Sequence, residues 1–149
     1  MRVRDIMTKK VIYCEAKTSV NEIAKKMLKY AITGMPVVEN DKVIGIVTEA
    51  DVMMQKAKIH IPAYIQILDS FLYLEDPKEV PEEMQKILGI TAKDIMTNSV
   101  VTIDESAKVE DLATLFETEH INPVPVVKKG KLTGIVSRAD IVKLLAREK

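Results

Sequence analysis

The fold is decided by a stretch that occurs twice, Gly-Ile-Val-Ser-Arg-Ala-Asp at residues 134–140 and Gly-Ile-Val-Thr-Glu-Ala-Asp at residues 45–51. In both copies, β-branched residues followed by a hydroxyl predict a strand that runs into a helix, with Ser137 or Thr48 as the N-cap. Asp140 or Asp51 then lies in the first helical turn. One interpretation is a simple capping box. The other is a corner that holds a phosphate on amides and a hydroxyl, while the carboxylate accepts hydrogen bonds from a ribose diol.

The two stretches belong to a longer internal repeat with an offset of 89 residues. Asp-Ile-Met-Thr at residues 5–8 recurs at 94–97, and Pro-Val-Val at 36–38 recurs at 125–127. Between residues 5–53 and 94–142 no gap is needed, and 17 of the 49 pairs are identical. Units of about 50 residues bury too little surface to be comfortably stable alone. We therefore expect the two copies to pack on each other.

Each copy predicts the element order β-α-β-β-α. In the first copy, the predicted elements are a strand at 11–14, a helix opened by Ser19 and Glu22, strands at 36–38 and 42–48, and a helix at 49–58. In the second they are a strand at 100–103, a helix at 108–119, strands at 124–127 and 131–136, and a helix at 138–147. This order predicts an α/β or α+β fold with helices on one side of small mixed sheets. Apolar residues at helical spacing predict the buried face of the first long helix: Val20, Ile23, Ala24, Met27, Leu28 and Ala31.

The repeat divides the chain into three parts: a first repeat at 1–58, an insert at 59–90 and a second repeat at 91–149. The insert is too apolar for a free linker, with Tyr64, Ile65, Leu68, Phe71, Leu72 and Leu74. We predict a structured helical insert that packs on the module and contributes to a subunit interface of a homodimer.

Composition excludes several function classes. The chain has 149 residues, with 22 basic and 22 acidic side chains, so there is no electrostatic argument for binding nucleic acid or anionic membranes. A single cysteine, Cys14, favours a reducing, cytoplasmic setting, and no apolar run is long enough to span a membrane. The two histidines, His60 and His120, have no metal-ligand spacing. We therefore expect neither an enzyme nor a metal site.

The set of motifs resembles the cystathionine β-synthase (CBS) domain, and two domains in tandem resemble a Bateman module. The resemblance covers nearly the whole chain except the insert. It implies two CBS repeats related by a pseudo-twofold axis. It also implies a non-catalytic regulatory sensor whose clefts bind adenosyl ligands, with AMP, ADP or ATP ahead of S-adenosylmethionine, and no other cofactor. The regulated partner protein is not identified by the residues.

The resemblance also implies which residues form the two clefts. Cleft A takes Thr8, Val11, Ile32, Thr33 and Gly34 from the first repeat and Ser137 and Asp140 from the second. Cleft B takes Thr97, Val100, Ile121, Asn122 and Pro123 from the second repeat and Thr48 and Asp51 from the first. Adenine would be held chiefly through backbone groups and apolar contact by Ile32, Thr33 and Gly34 in cleft A. The equivalent residues in cleft B are Ile121, Asn122 and Pro123.

The two clefts differ at the residue after the capping hydroxyl, which is Arg138 in cleft A and Glu49 in cleft B. If Arg138 points inward it pairs with a phosphate, whereas Glu49 repels one; the alternative is that Arg138 is a solvated helix residue. Three further functions stay open: a structural or interaction module without ligand, an S-adenosylmethionine-binding module, and a nucleic-acid adaptor. The last is disfavoured by the zero net charge.

Overall fold

The computed structural model describes residues 1–58 and 90–148. Along the first repeat these are α1 (Val3–Ile6), α2 (Val20–Tyr30), β1 (Gly34–Glu39), β2 (Lys42–Thr48) and α3 (Glu49–Lys58). Along the second repeat they are α4 (Ala92–Ile95), β3 (Ile103–Asp104), α5 (Val109–Glu119), β4 (Val124–Lys128), β5 (Lys131–Val136) and α6 (Arg138–Arg147). The fold is the expected mixture of helices and small sheets. The predicted insert, residues 59–90, lies outside the described residues except for Ile90.

Each repeat is built on a tight antiparallel hairpin. β1 pairs with β2, and β4 pairs with β5. The first turn has positive φ at both central residues, 51° at Asn40 and 64° at Asp41, and the second has 50° at Lys129 and 78° at Gly130. This conformation matches the twist of the flanking strands and favours Asn, Asp and Gly. The predicted strands at 42–48 and 131–136 agree with β2 and β5.

The strand predicted at 11–14 is wrong as a strand. Only Cys14 pairs with its neighbour, in a single parallel bridge to Val37. The equivalent segment of the second repeat keeps two paired residues, Ile103 and Asp104, which lie parallel to β4. In both segments only one or two residues pair with the edge strand of a hairpin. A run of β-branched residues is therefore not sufficient to form a long strand.

Helix α2 begins at a cap that the sequence predicts. The Ser19 hydroxyl accepts a hydrogen bond from the Glu22 backbone N–H at 3.2 Å, and the helix ends at Ala31 in the left-handed conformation. Ile23 and Met27 are buried, but Leu28 is 84% exposed. The predicted buried face is therefore too wide, because the core contacts only a narrow stripe of this helix.

The described residues form two apolar cores, and each contains a helix from the other repeat. Val3 of α1 is fully buried among second-repeat residues that include Leu112 and Val136. Ala92 of α4 is fully buried among first-repeat residues that include Ile23 and Val47. The two repeats thus exchange their short N-terminal helices, and neither core is complete without the other repeat.

The segment after each exchanged helix pairs with the opposite hairpin. Thr8 donates its backbone N–H to the Ile135 carbonyl at 2.9 Å and accepts from the Ile135 N–H at 3.0 Å. Thr97 forms the same pair of hydrogen bonds with Ile46, at 3.0 and 3.1 Å. This reciprocity brings the Asp-Ile-Met-Thr segment of one repeat beside the strand-to-helix corner of the other.

Candidate functional site

Cleft A is a cavity of about 610 Å³ between the two repeats. It brings together most of the residues expected there: Thr8, Ile32, Thr33, Gly34, Ser137 and Asp140. It also includes residues that the sequence did not single out for it, among them Lys10, Ile12, Tyr30, Asn122, Pro123 and Lys143. The volume lies within the roughly 300–1,000 Å³ typical of small-molecule sites.

Cleft B is a cavity of about 500 Å³ at the equivalent place in the repeat. It brings together six of the expected residues: Thr48, Thr97, Val100, Ile121, Asn122 and Pro123. It adds Thr33, Ile46, Glu49, Ala50, Ser99, Val101 and His120. Asp51, the residue expected to bind ribose here, is not among the lining residues.

The corners after β5 and β2 are capping boxes with the same geometry. Asp140 Oδ2 accepts hydrogen bonds from the Ser137 backbone N–H at 2.7 Å and from the Ser137 hydroxyl at 3.0 Å. Asp51 Oδ2 accepts from the Thr48 N–H at 2.8 Å and from the Thr48 hydroxyl at 3.1 Å. The capping interpretation therefore holds at both corners. In each case one carboxylate oxygen is engaged by the cap, and the side chain is held in one orientation.

Two residues expected in cleft A lie elsewhere. Arg138 does not line the cavity; its Nη2 donates to the Phe116 carbonyl at 3.4 Å, beside the last turn of α5. That contact is favourable because free carbonyls and the negative end of the dipole lie at a helix C-terminus. The expectation that Arg138 points into cleft A is corrected accordingly. Val11 lines two smaller surface depressions beside Tyr13 and Glu15 instead.

Positive charge in cleft A comes from lysines. Lys10 lies two residues after Thr8, and Lys143 lies one turn after Asp140 on α6. Lys143 Nζ is 3.9 Å from Asp140 Oδ1, with the lysine side chain 69% exposed and the aspartate 15% exposed. The position of Lys143 near the cleft could have been predicted from the sequence, because a residue three positions after Asp140 lies on the same face of the helix. No motif marked Lys10.

The Cys14 thiol is buried, at 1% exposure. Desolvation by burial raises the pKa of this thiol to about 11, although Lys26 opposes the shift. A thiol with such a pKa stays protonated near neutral pH and is a poor nucleophile. Within residues 1–58 and 90–148, no group of three His, Cys, Asp or Glu side chains is placed to hold a metal ion. Over those same ranges, no helix is long and apolar enough to cross a membrane.

Proteins of known sequence and structure resemble this chain over nearly its whole length. YlbB of Bacillus subtilis is 30% identical over 142 residues, which cover 94% of this chain and 79% of YlbB. The CBS domain pair of protein MJ0100, in complex with 5′-methylthioadenosine and S-adenosyl-L-methionine, has a TM-score of 0.75 at 26% identity. That alignment covers 100% of this chain and 98% of the solved chain.

A second solved structure, CBSX2 in complex with AMP, has a TM-score of 0.74 at 25% identity and covers 98% of this chain and 96% of that chain. The CBS domain family model matches residues 3–58 and 92–147, which include both copies of the internal repeat, 5–53 and 94–142. The exchanged helices, the paired hairpins and these matches agree, and the chain belongs to the CBS domain family, of which it carries two copies.

Proposed function

We propose that this chain is a non-catalytic regulatory module that binds an adenosyl ligand in the clefts between its CBS repeats. An adenine nucleotide (AMP, ADP or ATP) is the first candidate in cleft A. Occupancy of the cleft would be reported to a partner protein, and the module would act as a cytoplasmic homodimer in energy sensing. CBSX2 in complex with AMP and the MJ0100 pair in complex with adenosyl compounds support the ligand class.

The observation that carries the proposal is the carboxylate of Asp140. Oδ2 accepts both hydrogen bonds of the capping box. Asp140 lines the cavity, and its Oδ1 makes a distant 3.9 Å contact to Lys143, so this oxygen retains capacity to accept hydrogen bonds. A ribose diol offers two O–H donors at a spacing that suits a fixed carboxylate. The capping hydrogen bonds therefore fix the orientation of the Asp140 carboxylate and leave Oδ1 available as an acceptor.

The remaining walls of cleft A suit a purine. Ile12, Ile32 and Pro123 supply apolar surface, and Thr33 and Gly34 line the cavity beside them. A Cβ on Gly34 would lie 2.8 Å from Pro123 Cδ, so glycine permits the close approach of the two repeats at this wall. Adenine would stack on apolar surface while its edge hydrogen-bonds to backbone groups.

The test is calorimetric titration of AMP, ADP, ATP and S-adenosylmethionine into the wild type and two matched variants. Asp140→Asn retains a carbonyl oxygen for the Ser137 cap but places an amide where the ribose needs an acceptor. We expect AMP affinity to fall roughly tenfold to a hundredfold. Asp51→Asn changes an equivalent cap that lines no part of cleft A, so AMP binding there should be retained.

Three results would contradict the proposal. Absence of binding by every adenosyl compound would favour a structural or interaction module without ligand. Equal losses of AMP affinity in the two variants would mean that the Asp140 carboxylate has no specific role as the ribose acceptor of cleft A. Salt-dependent binding to RNA or DNA with no adenosyl binding would instead favour a nucleic-acid adaptor.

The homodimer is proposed from exposed apolar side chains on the helices that follow the hairpins. Met53 of α3 and Val142 of α6 occupy equivalent positions in the two repeats and are 70% and 64% exposed; Leu145 is 60% exposed. A twofold contact between copies would bury this surface. Sedimentation at micromolar concentrations should give a dimer, and a monomer at all concentrations would reject this part of the proposal.

A further inference from the structure

The two clefts share one backbone plan but differ in charge. Cleft A contains Lys10 and Lys143 together with Asp140. With histidine counted as neutral, Glu49 is the one charged side chain among the described residues that line cleft B. The balance is thus positive in cleft A and negative in cleft B. An anionic ligand group meets attraction in the first and repulsion in the second.

The difference arises at equivalent positions of the repeat. Lys10 of cleft A corresponds to Ser99, which lines cleft B. Lys143 corresponds to Met54, which carries no charge. At the first helical residue the side chains are Arg138 and Glu49, but Arg138 is turned toward Phe116 while Glu49 lines its cleft. The acidic character of cleft B is therefore not offset by a neighbouring lysine at either equivalent position.

The corner groups that hold a phosphate in many proteins are already engaged in both clefts. The Arg138 backbone N–H donates to Asn122 Oδ1 at 3.0 Å, and the Glu49 N–H donates to the Thr33 carbonyl at 2.9 Å. The Ser137 and Thr48 hydroxyls donate to their aspartates. Because these donors are engaged in the same way in both clefts, they do not favour an anion in either one. We therefore expect the charged side chains to determine selectivity for an anion.

We propose that the two clefts select different adenosyl ligands: cleft A takes an adenosine 5′-phosphate, and cleft B takes an adenosyl ligand without phosphate. This inference rests on the proposed function. In cleft A, Lys10 and Lys143 bind the phosphate while Asp140 binds the ribose. In cleft B, Glu49 disfavours a phosphate and accommodates a 5′ group that is neutral, such as a thioether, or cationic, such as a sulfonium.

The experiment titrates AMP and 5′-methylthioadenosine separately into the whole chain. Backbone amide resonances of Ala139 and Ala50 report which cleft is filled, since each lines one cleft. AMP should fill cleft A first, with a preference of roughly tenfold to a hundredfold. Methylthioadenosine should prefer cleft A by less than AMP does, because it lacks the phosphate that Lys10 and Lys143 attract.

Two variants separate charge from shape. The double variant Lys10→Ser/Lys143→Met gives cleft A the residues found at the equivalent positions of the second and first repeats. It should weaken AMP at cleft A by roughly tenfold or more and change methylthioadenosine affinity less than threefold. Glu49→Gln should strengthen AMP at cleft B and leave cleft A unchanged.

The outcomes distinguish this inference from the function on which it rests. Equal AMP affinities in the two clefts of the wild type, or a double variant that binds AMP normally, would overturn selection by charge while leaving adenosyl binding intact. A chain that binds neither AMP nor methylthioadenosine would overturn both.

Discussion

At the scale of single residues, two glycines are required because methionines of the opposite repeat pack against their backbones. A Cβ on Gly45 would lie closer than 3.0 Å to the Met96 side chain, and one on Gly134 would meet Met7 in the same way. Met7 and Met96 belong to the exchanged segments. The glycine of the repeated stretch therefore serves the contact between repeats, and the turn into the helix does not depend on it.

We predict that Gly134→Ala destabilises the protein by about 1–3 kcal/mol, because an added methyl overpacks a close contact. The melting temperature should fall by roughly 3–10 °C for a chain of this size. The control is Gly130→Asn in the β4–β5 turn, where φ is +78° and nothing lies within 4 Å of an added Cβ. Asparagine tolerates this conformation, so the control should melt close to the wild type. A Gly134→Ala variant that melts at the same temperature as the control would show that Met7 can move aside.

The sequence predicts the site residues that belong to a local motif. It does not predict those whose side-chain direction depends on residues distant in the chain. Ser137 with Asp140 is a capping pair three residues apart, and the structure has that cap. The direction of Arg138 is set by Phe116, which is 22 residues away in the chain, and no local pattern reports it. Lys10 reaches cleft A only because its segment crosses to the other repeat.

At the scale of elements, the exchanged helix α1 is the feature that joins the repeats. Hydrogen bonds join this region to the second repeat. The Val3 backbone N–H donates to the Ala107 carbonyl at 2.9 Å, and the side-chain Nη1 of Arg2, just before the helix, donates to the Ser106 carbonyl at 3.0 Å. Val3 itself is fully buried in the second-repeat core. A four-residue helix has too few hydrogen bonds to be stable alone, so α1 depends on this docking.

We predict that Val3→Ala costs on the order of 2 kcal/mol through lost burial and the cavity left behind. The effect should appear far away in sequence: amide hydrogen exchange should quicken in β4 and β5 more than in β1 and β2. Leu28→Ala is the control, since that leucine of α2 is 84% exposed. Faster exchange confined to β1 and β2 would contradict the exchange of helices.

Hairpins and long helices were predictable because their signals are local. Asn40 and Asp41 favour a turn with positive φ, and Ser19 with Glu22 favours a helix start; the structure has both. The β-branched residues at 11–14 predict a strand, but only Cys14 pairs with another strand. Strand pairing depends on residues distant in the sequence, which a local pattern does not report. The exchange of α1 and α4 is long-range as well, and the repeat alone does not distinguish it from two self-contained units.

At the scale of the whole molecule, the clefts belong to both repeats at once. Thr33, Asn122 and Pro123 line both cavities, so the two sites share a wall. Asn122 also accepts the hydrogen bond from the first backbone N–H of α6. A ligand in cleft A would therefore contact the first repeat, the second repeat and the residues between the clefts.

AMP at a hundred times its dissociation constant should add about 2.7 kcal/mol to the free energy of unfolding, which raises the melting temperature by roughly 5–10 °C. Because the ligand bridges the repeats, the transition should stay single, and slower hydrogen exchange should appear in β1–β2 as well as β4–β5. Asp140→Asn at the same AMP concentration should lose most of the rise. Protection limited to the second repeat would mean that the ligand binds the Asp140 corner alone, since a ligand that also rests on Ile32 and Thr33 must stabilise the repeat that supplies them.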